Sequence, residues 1–193
     1  MDVQRFVRDW VYDGIVAAVF LIALAPLVLP AMTPAAASVY VLLVVYMLHQ
    51  YEEHDRDRFR AFVNTHIGGG REVLSPFATM VVNVVGVWGV LVAALYLAAY
   101  AEPGFGLIGV YLLLVNTFAH VGGFVVLKRY NPGLVTGIVL FVPAAIAASV
   151  VINGETARPV LFHAIGLAVA VAIHAGLIVY VKQRGRALST APL

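Results

Sequence analysis

The stretch "VYVLLVVYMLHQYEEH", residues 39–54, decides how this 193-residue chain is interpreted. Its first ten residues are apolar, and its last six include two histidines and two glutamates. The apolar run that it completes is about 20 residues long, enough at about 1.5 Å per residue to cross a hydrocarbon layer of about 30 Å. Ionisable groups inside such a span are costly, and by default they indicate a functional site.

The rest of the chain has the same character. It is 62% hydrophobic and 11% charged, a balance too apolar for a soluble domain of this length. Charged, Gly and Pro residues bound the apolar runs, which predicts six transmembrane helices at about 11–29, 35–54, 76–100, 105–127, 134–152 and 158–181. The predicted fold class is therefore all-α, a polytopic membrane helical bundle that forms a single domain over residues 1–193. No cleavable signal peptide is expected before the first span.

The positive charges are segregated along the chain. Of the 12 Lys and Arg residues, all but Arg158 lie in the two terminal segments, the 55–75 connection and the loop after the fourth span. This bias predicts that both termini are cytoplasmic. The protein is expected in the plasma membrane. Residues 55–67 are expected to form a short amphipathic helix at the interface. The net charge of +2 comes from loops, so no nucleic-acid partner is expected, and the lack of cysteine excludes disulfides and thiolate metal sites.

Polar residues of five predicted spans fall on the cytoplasmic side of the membrane. At about 1.5 Å per residue, most lie about 10–12 Å from the cytoplasmic edge: His49, Asn83, His120 and His174, with Asp13 shallower. The other half of the bundle offers only His163. This distribution predicts one polar chamber that opens toward the cytoplasm, with Asn83 as a supporting residue.

The spacing of these residues resembles a metal-ligand set. Residues at i, i+3 and i+4 share a helix face, so His49, Glu52 and Glu53 are expected to point to one centre. Imidazole and carboxylate ligands suit zinc and iron, and the carboxylates make a dication tolerable in a low-dielectric site. The predicted metal ligands are His49, Glu53, His120 and His174.

Two further residues are given catalytic roles at this site. Glu52 is predicted to act as general base or bridging carboxylate. Asn116, one turn before His120, is predicted to polarise the substrate or hold a metal-bound water. His54, next to the arginines, is expected at the interface.

Three short motifs resemble those of a known family. "HQYEE" (49–53), "NTFAH" (116–120) and "YNPGLVT" (130–136) resemble the HXXEE, NAxxH and YxPGxxT motifs of the HXXEE family of membrane proteins, with Thr117 where the family has Ala. The resemblance implies that the motif residues matter, including Tyr130 and Thr136 in supporting roles, without implying an activity. From the residues themselves, Pro132 and Gly133 are expected to shape the start of the fifth span.

The functional prediction is a membrane metalloenzyme that acts on a lipid-like or amphipathic substrate. Zinc is favoured over iron as the divalent metal, and hydrolysis or other non-redox chemistry over oxidation. A transporter of metal ions or protons, an oxidative di-iron enzyme and an assembly partner with a buried polar network stay open as alternatives. The one-sided distribution of polar residues favours the enzyme. Small residues in the third and sixth spans are compatible with a homo-oligomer.

Overall fold

A computed structural model describes residues 3–190 of the chain, and these fold into helices joined by short turns, with no strand in that range. Six of the helices are long and apolar enough to cross a membrane. The prediction of an all-α chain with six such helices is confirmed, and it indicates an integral membrane protein. The cytoplasmic orientation of the termini stays a prediction.

Within residues 3–190, seven helices make up the bundle, six long ones and a short α3 that corresponds to the predicted amphipathic helix. They are α1 (Val3–Val28), α2 (Pro34–His54), α3 (Arg58–His66), α4 (Pro76–Tyr100), α5 (Leu107–Leu127), α6 (Leu134–Glu155) and α7 (Pro159–Thr190). The first helix starts earlier and the last one ends later than predicted. The prediction stopped each helix at its first charges, but exposed pairs such as Arg5–Asp9, at i and i+4, are compatible with a continuing helix.

Local sequence signals set several helix starts. The hydroxyls of Thr33 and Ser75 each accept a hydrogen bond from the N–H three residues further on, and a proline occupies the first position of α2 and α4. Two of the long helices also contain a π-helical stretch, Val81–Trp88 in α4 and Gly137–Phe141 in α6. Such stretches are frequent at functional sites, and the sequence did not predict them.

The second helix lies at the centre of the bundle, packed against α1, α4, α5 and α6. Its side chain Leu42 is fully buried with Leu91, Leu113 and Phe141 in the main core. The last helix, α7, lies along α5, and a Cβ on Gly166 would stand 2.7 Å from a carbonyl oxygen of α5. The first parts of α5 and α7 are therefore in close contact, as small residues allow.

Helix α3 is folded back over one end of the bundle. Left-handed backbone at residues 56–57 precedes it, and left-handed glycines at 69–70 follow it. Its inner face packs against Val181 of α7. The Asn64 side chain donates to the carbonyl of Leu74 at 3.0 Å and accepts from its N–H at 2.9 Å, which closes the loop after α3. This end of the bundle contains the predicted site.

Candidate metal centre

The carboxylate of Glu53, in the last turn of α2, is the centre of a buried group of three side chains. His49 precedes it by one turn on the same helix, and its Nε2 lies 3.5 Å from Oε2 of Glu53. His120 of α5 approaches from the other side, with Nε2 3.4 Å from Oε1. The three residues are 0%, 4% and 4% exposed in the order His49, Glu53, His120. One ligand atom from each lies within 4.8 Å of the other two, so the group could hold a metal ion.

Asn131 determines which nitrogen of His120 carries hydrogen. Its Nδ2 donates to the backbone carbonyl of His120 at 2.9 Å, so its Oδ1 is the atom that lies 2.6 Å from Nδ1 of the ring. An amide oxygen can only accept, and Nδ1 must therefore be the donor. In the neutral ring, Nε2 then has a lone pair, and it faces Glu53.

Thr136 determines in the same way which nitrogen of His49 carries hydrogen. Its Oγ1 lies 2.8 Å from Nδ1 of His49 and 2.5 Å from Oε2 of Glu52. A carboxylate can only accept, so the single hydroxyl hydrogen goes to Glu52 and Oγ1 accepts from the ring. Nδ1 of His49 is again the donor, and Nε2 again has the lone pair.

Neutral His49 and His120 therefore both direct a lone pair at a carboxylate. Nε2 of His49 makes no hydrogen bond within the described part of the chain, although it is buried. A second proton on each ring would remove the repulsion, but it would place two cations on rings whose centroids are 5.4 Å apart. One divalent cation between the three side chains satisfies all of them, and partners that orient the outer nitrogen are what metal-binding histidines have. The donor set fits a transition metal.

His54 supports the same carboxylate, contrary to the expectation that it lies at the interface. It is 5% exposed, and its Nε2 is 3.2 Å from Oε2 of Glu53. The ring packs beside Trp10 at 5.0 Å and Phe59 at 5.4 Å between centroids. The expectation was wrong because α1 and α3 cover this residue, which its arginine neighbours in sequence do not indicate.

A cavity of about 330 Å³ has Glu53 and His120 in its wall, together with the predicted Asn116 and His174. Oδ1 of Asn116 is buried and has no hydrogen-bond partner among the described residues. Nδ1 of His174 lies 2.8 Å from the Ala170 carbonyl, so it is the donor and Nε2 has the lone pair. His174 is not in the group of three, and its role as a ligand stays a prediction.

Asn83 also lines the cavity, but its amide is used inside the bundle. Oδ1 accepts from Gln50 at 2.9 Å, and Nδ2 donates to the Thr79 carbonyl at 2.8 Å. Gln50 in turn accepts from the Trp88 indole at 2.5 Å. This chain of hydrogen bonds joins α2 to the π-helical stretch of α4. Asp13 is exposed on α1.

A protein-family model matches a region of the chain that contains the group of His49, Glu53 and His120. The same region contains Asn131 and Thr136, which orient the two rings. A family model described as "Protein of unknown function with HXXEE motif" matches residues 40–148. The chain belongs to the HXXEE family. Neither a curated protein nor a solved structure gave a match.

The two glutamates of the HXXEE motif have different surroundings. Adjacent residues point about 100° apart on a helix, so Glu52 does not face the group that contains Glu53. Its carboxylate accepts from Tyr130 at 2.6 Å and from the backbone N–H groups of Val135 and Thr136 at 3.2 and 2.7 Å, besides the Thr136 hydroxyl. Burial and the hydrogen bond to Glu52 raise the pKa of Tyr130 to about 12, so the phenol remains a donor. The structure thus ties this glutamate to the start of α6, and its predicted role as general base stays a prediction.

Gly133 of the HXXEE protein lets this segment approach the two rings. Its φ of +96° is in the left-handed region, where glycine is favoured. A Cβ there would stand 2.6 Å from Cε1 of His120 and 3.0 Å from Cε1 of His49. The glycine is therefore required by the close contact of residues 130–136 with the group, in addition to shaping the helix start.

The sequence alone did not indicate the roles of two residues at this site, Asn131 and His54. The sequence predicts no role for the Asn131 side chain, and it predicts that His54 lies at the interface. Both adjoin motif residues, Tyr130 and Glu53, which was the available signal.

Proposed function

We propose that this HXXEE protein is a membrane enzyme that binds one divalent transition metal through His49, Glu53 and His120. We assign it hydrolytic or other non-redox chemistry on a lipid-like substrate. The Lys and Arg distribution supports an orientation with both termini cytoplasmic, and we assign the protein to the plasma membrane as part of this proposal. On this proposal the cavity lies in the cytoplasmic half of the bilayer.

The observation that carries the metal is the direction of the two lone pairs. Asn131 and Thr136 each hold the outer nitrogen of a histidine as a donor, and both inner nitrogens face one buried carboxylate. With both rings neutral, neither inner nitrogen has a proton to give the carboxylate, and a cation between them would satisfy all three groups.

Two imidazoles and a carboxylate favour zinc, although iron accepts the same donors. A zinc ion with three protein ligands has an open position and acts as a Lewis acid in hydrolysis. Since the buried carboxylate carries one negative charge, the site would have a net charge of +1. It would therefore attract the polarised oxygen of an ester or amide.

The remaining polar groups of the cavity wall can act on the substrate. Asn116 has an unpartnered Oδ1 and would orient a donor group of the substrate. His174 has a lone pair on Nε2 and would accept a proton there or complete the ligand set. Glu52, held by four hydrogen bonds, would position His49 through Thr136 rather than exchange protons itself.

The hydrogen bonds of Glu52 also bear on the di-iron alternative. A di-iron site needs carboxylates that bridge two metals. Both oxygens of Glu52 already accept hydrogen bonds from residues 130–136, which leaves Glu53 as the only carboxylate in the group. This supports one metal ion over two.

The test is the metal content of the purified protein. The protein, loaded with zinc and then desalted, is expected to retain about one equivalent by elemental analysis. His49→Ala and His120→Ala should each reduce this at least tenfold. His66→Ala is the matched control, because His66 is an exposed histidine at the end of α3 and should leave the content unchanged.

Activity is then measured by incubating the loaded protein with ester and amide lipids in liposomes and analysing the products by mass spectrometry. Hydrolysis that is lost in His120→Ala but not in His66→Ala would support the enzyme. Failure of the wild-type protein to retain zinc or iron would overturn the proposal. Retention of metal with metal uptake into the liposomes but without hydrolysis would replace the enzyme by the transporter.

A further inference from the structure

The wall of the cavity is divided into a polar and an apolar part. Helices α5 and α7 run in the same direction, because their first parts are in contact at Gly166 and their last parts both line the cavity. Asn116 and His120 line the cavity near its start on α5, and Ile173 and His174 do so on α7. Further along these two helices, the lining residues are mainly apolar: Gly123, Leu127, Leu177, Ile178 and Val181.

Helix α3 covers this apolar part with a face of its own. Phe59, Phe62 and Val63 line the cavity beside α7, and Phe59 reaches the group of three, with its ring centroid 6.1 Å from that of His120. The volume of about 330 Å³ lies within the range of small-molecule sites. An apolar wall with a few convergent polar groups is suited to an amphiphile rather than to a sugar or a nucleotide.

One charge is available to a ligand at the rim of this cavity. Lys182 is the only Lys or Arg among the described residues that line it, and it is exposed at the end of the apolar wall. Glu53 is the only carboxylate among the lining residues that the structure describes, and it is already within 3.5 Å of three imidazoles. The free charge of the cavity is therefore positive, and it complements an anion.

The distance between the charge and the polar groups indicates the shape of the ligand. Lys182 follows His174 by eight residues on the same helix, which corresponds to about 12 Å at 1.5 Å per residue. A ligand that contacts both ends must have an anionic group at the rim and an apolar chain of similar length.

We propose that the cavity binds a single-chain acyl amphiphile with an anionic headgroup, with the anion at Lys182 and the chain along α3 and α7 toward His120. This inference needs only the cavity and Lys182, and it does not depend on a bound metal or on the enzyme proposed above.

The experiment uses the absence of cysteine from the chain. A single Ile178→Cys variant places one thiol in the cavity wall, and Val126→Cys places one on an exposed part of α5 outside it. Each is reconstituted in phosphatidylcholine nanodiscs, and its rate of alkylation by N-ethylmaleimide is measured. Dodecanoate, dodecanol and dodecyltrimethylammonium share one chain and differ in headgroup charge, and each is added at increasing ratios to lipid.

Dodecanoate is expected to slow alkylation of Ile178→Cys at a concentration five- to tenfold lower than dodecanol, with no effect on Val126→Cys. Adding Lys182→Ala should raise the dodecanoate midpoint five- to tenfold and leave the dodecanol midpoint unchanged. Lys182→Arg should retain the preference. The dodecanol midpoint also shows that the Lys182→Ala protein is folded.

Equal protection by all three amphiphiles, or a dodecanoate midpoint that Lys182→Ala does not change, would overturn the inference. The measurement is repeated after chelation of zinc. Protection that persists supports binding at Lys182, whether or not the metalloenzyme proposal holds. Protection that is lost with the zinc would put the anion on the metal and overturn the assignment to Lys182.

Discussion

The hydroxyl of Thr136 is the smallest part of the site whose removal tests the whole arrangement. Thr136→Val keeps the shape of the side chain but removes the acceptor of His49 Nδ1, at 2.8 Å, and a donor to Glu52, at 2.5 Å. An unsatisfied buried donor costs about 1–3 kcal/mol, and a lost hydrogen bond to a charged group costs about 1.5–3 kcal/mol. Glu52 is half-buried and retains three other donors, so its share is at the lower end.

The free energy of unfolding is therefore expected to fall by about 2.5–4.5 kcal/mol. Zinc affinity should fall by about 10–100-fold, which is typical when the outer partner of a metal-binding histidine is lost. That factor corresponds to about 1.4–2.7 kcal/mol of binding free energy. His49 would still have its lone pair, but the ring would no longer be held in the tautomer that presents Nε2.

Zinc affinity is measured by competition with a chromophoric chelator, and the tautomer of His49 by nitrogen-15 NMR of labelled histidine. Thr136→Ser is the matched control, because it retains the hydroxyl and should bind zinc within about threefold of the wild type. A Thr136→Val protein that is folded and binds zinc as tightly as the wild type would refute the reasoning, since the hydroxyl would then not orient the ring.

Substitutions at three more positions test the same segment. Gly133→Ala should destabilise the protein by at least about 2 kcal/mol and abolish zinc retention, because the new Cβ would stand 2.6 Å from the His120 ring at a φ of +96°. Stability is measured by thermal unfolding, and an unchanged melting temperature would contradict the close contact. Asn131→Ala should lower zinc affinity about 10–100-fold, measured by chelator competition, and Asn131→Asp, which retains an acceptor for Nδ1, should recover part of the loss. The pKa of Tyr130 is raised from 10.0 to about 12 in the folded protein, so the folded state holds this proton more tightly than the unfolded state does. Its contribution to stability should be complete below about pH 10 and disappear as the pH rises to about 12. Unfolding measured across that range should show this loss in the wild type and a smaller one in Tyr130→Phe, and equal slopes would mean that the Glu52 contact does not hold the phenol.

The sequence alone was sufficient for the number and type of helices. Each membrane span needs about 20 apolar residues and satisfies its backbone hydrogen bonds internally, so composition along the chain identifies it without knowledge of its neighbours. The pairing of His49 with Glu53 was also predictable, because residues at i and i+4 meet on one helix. The participation of His120 followed from its depth and its motif, and the structure brings it to the same carboxylate.

The tertiary structure alone decided what the neighbouring residues do. Glu52 is adjacent to Glu53 in sequence, yet it binds the start of α6, since the angle between consecutive side chains directs it to a different helix. His54 is buried because α1 and α3 cover it, and Asn131 orients His120 because left-handed backbone at Gly133 returns the chain to the site. Contacts between distant segments depend on how helices pack and turn, and no local pattern encodes them. The apolar pattern of the chain therefore specified six long apolar helices, while helix packing specified which histidine nitrogens face the carboxylate.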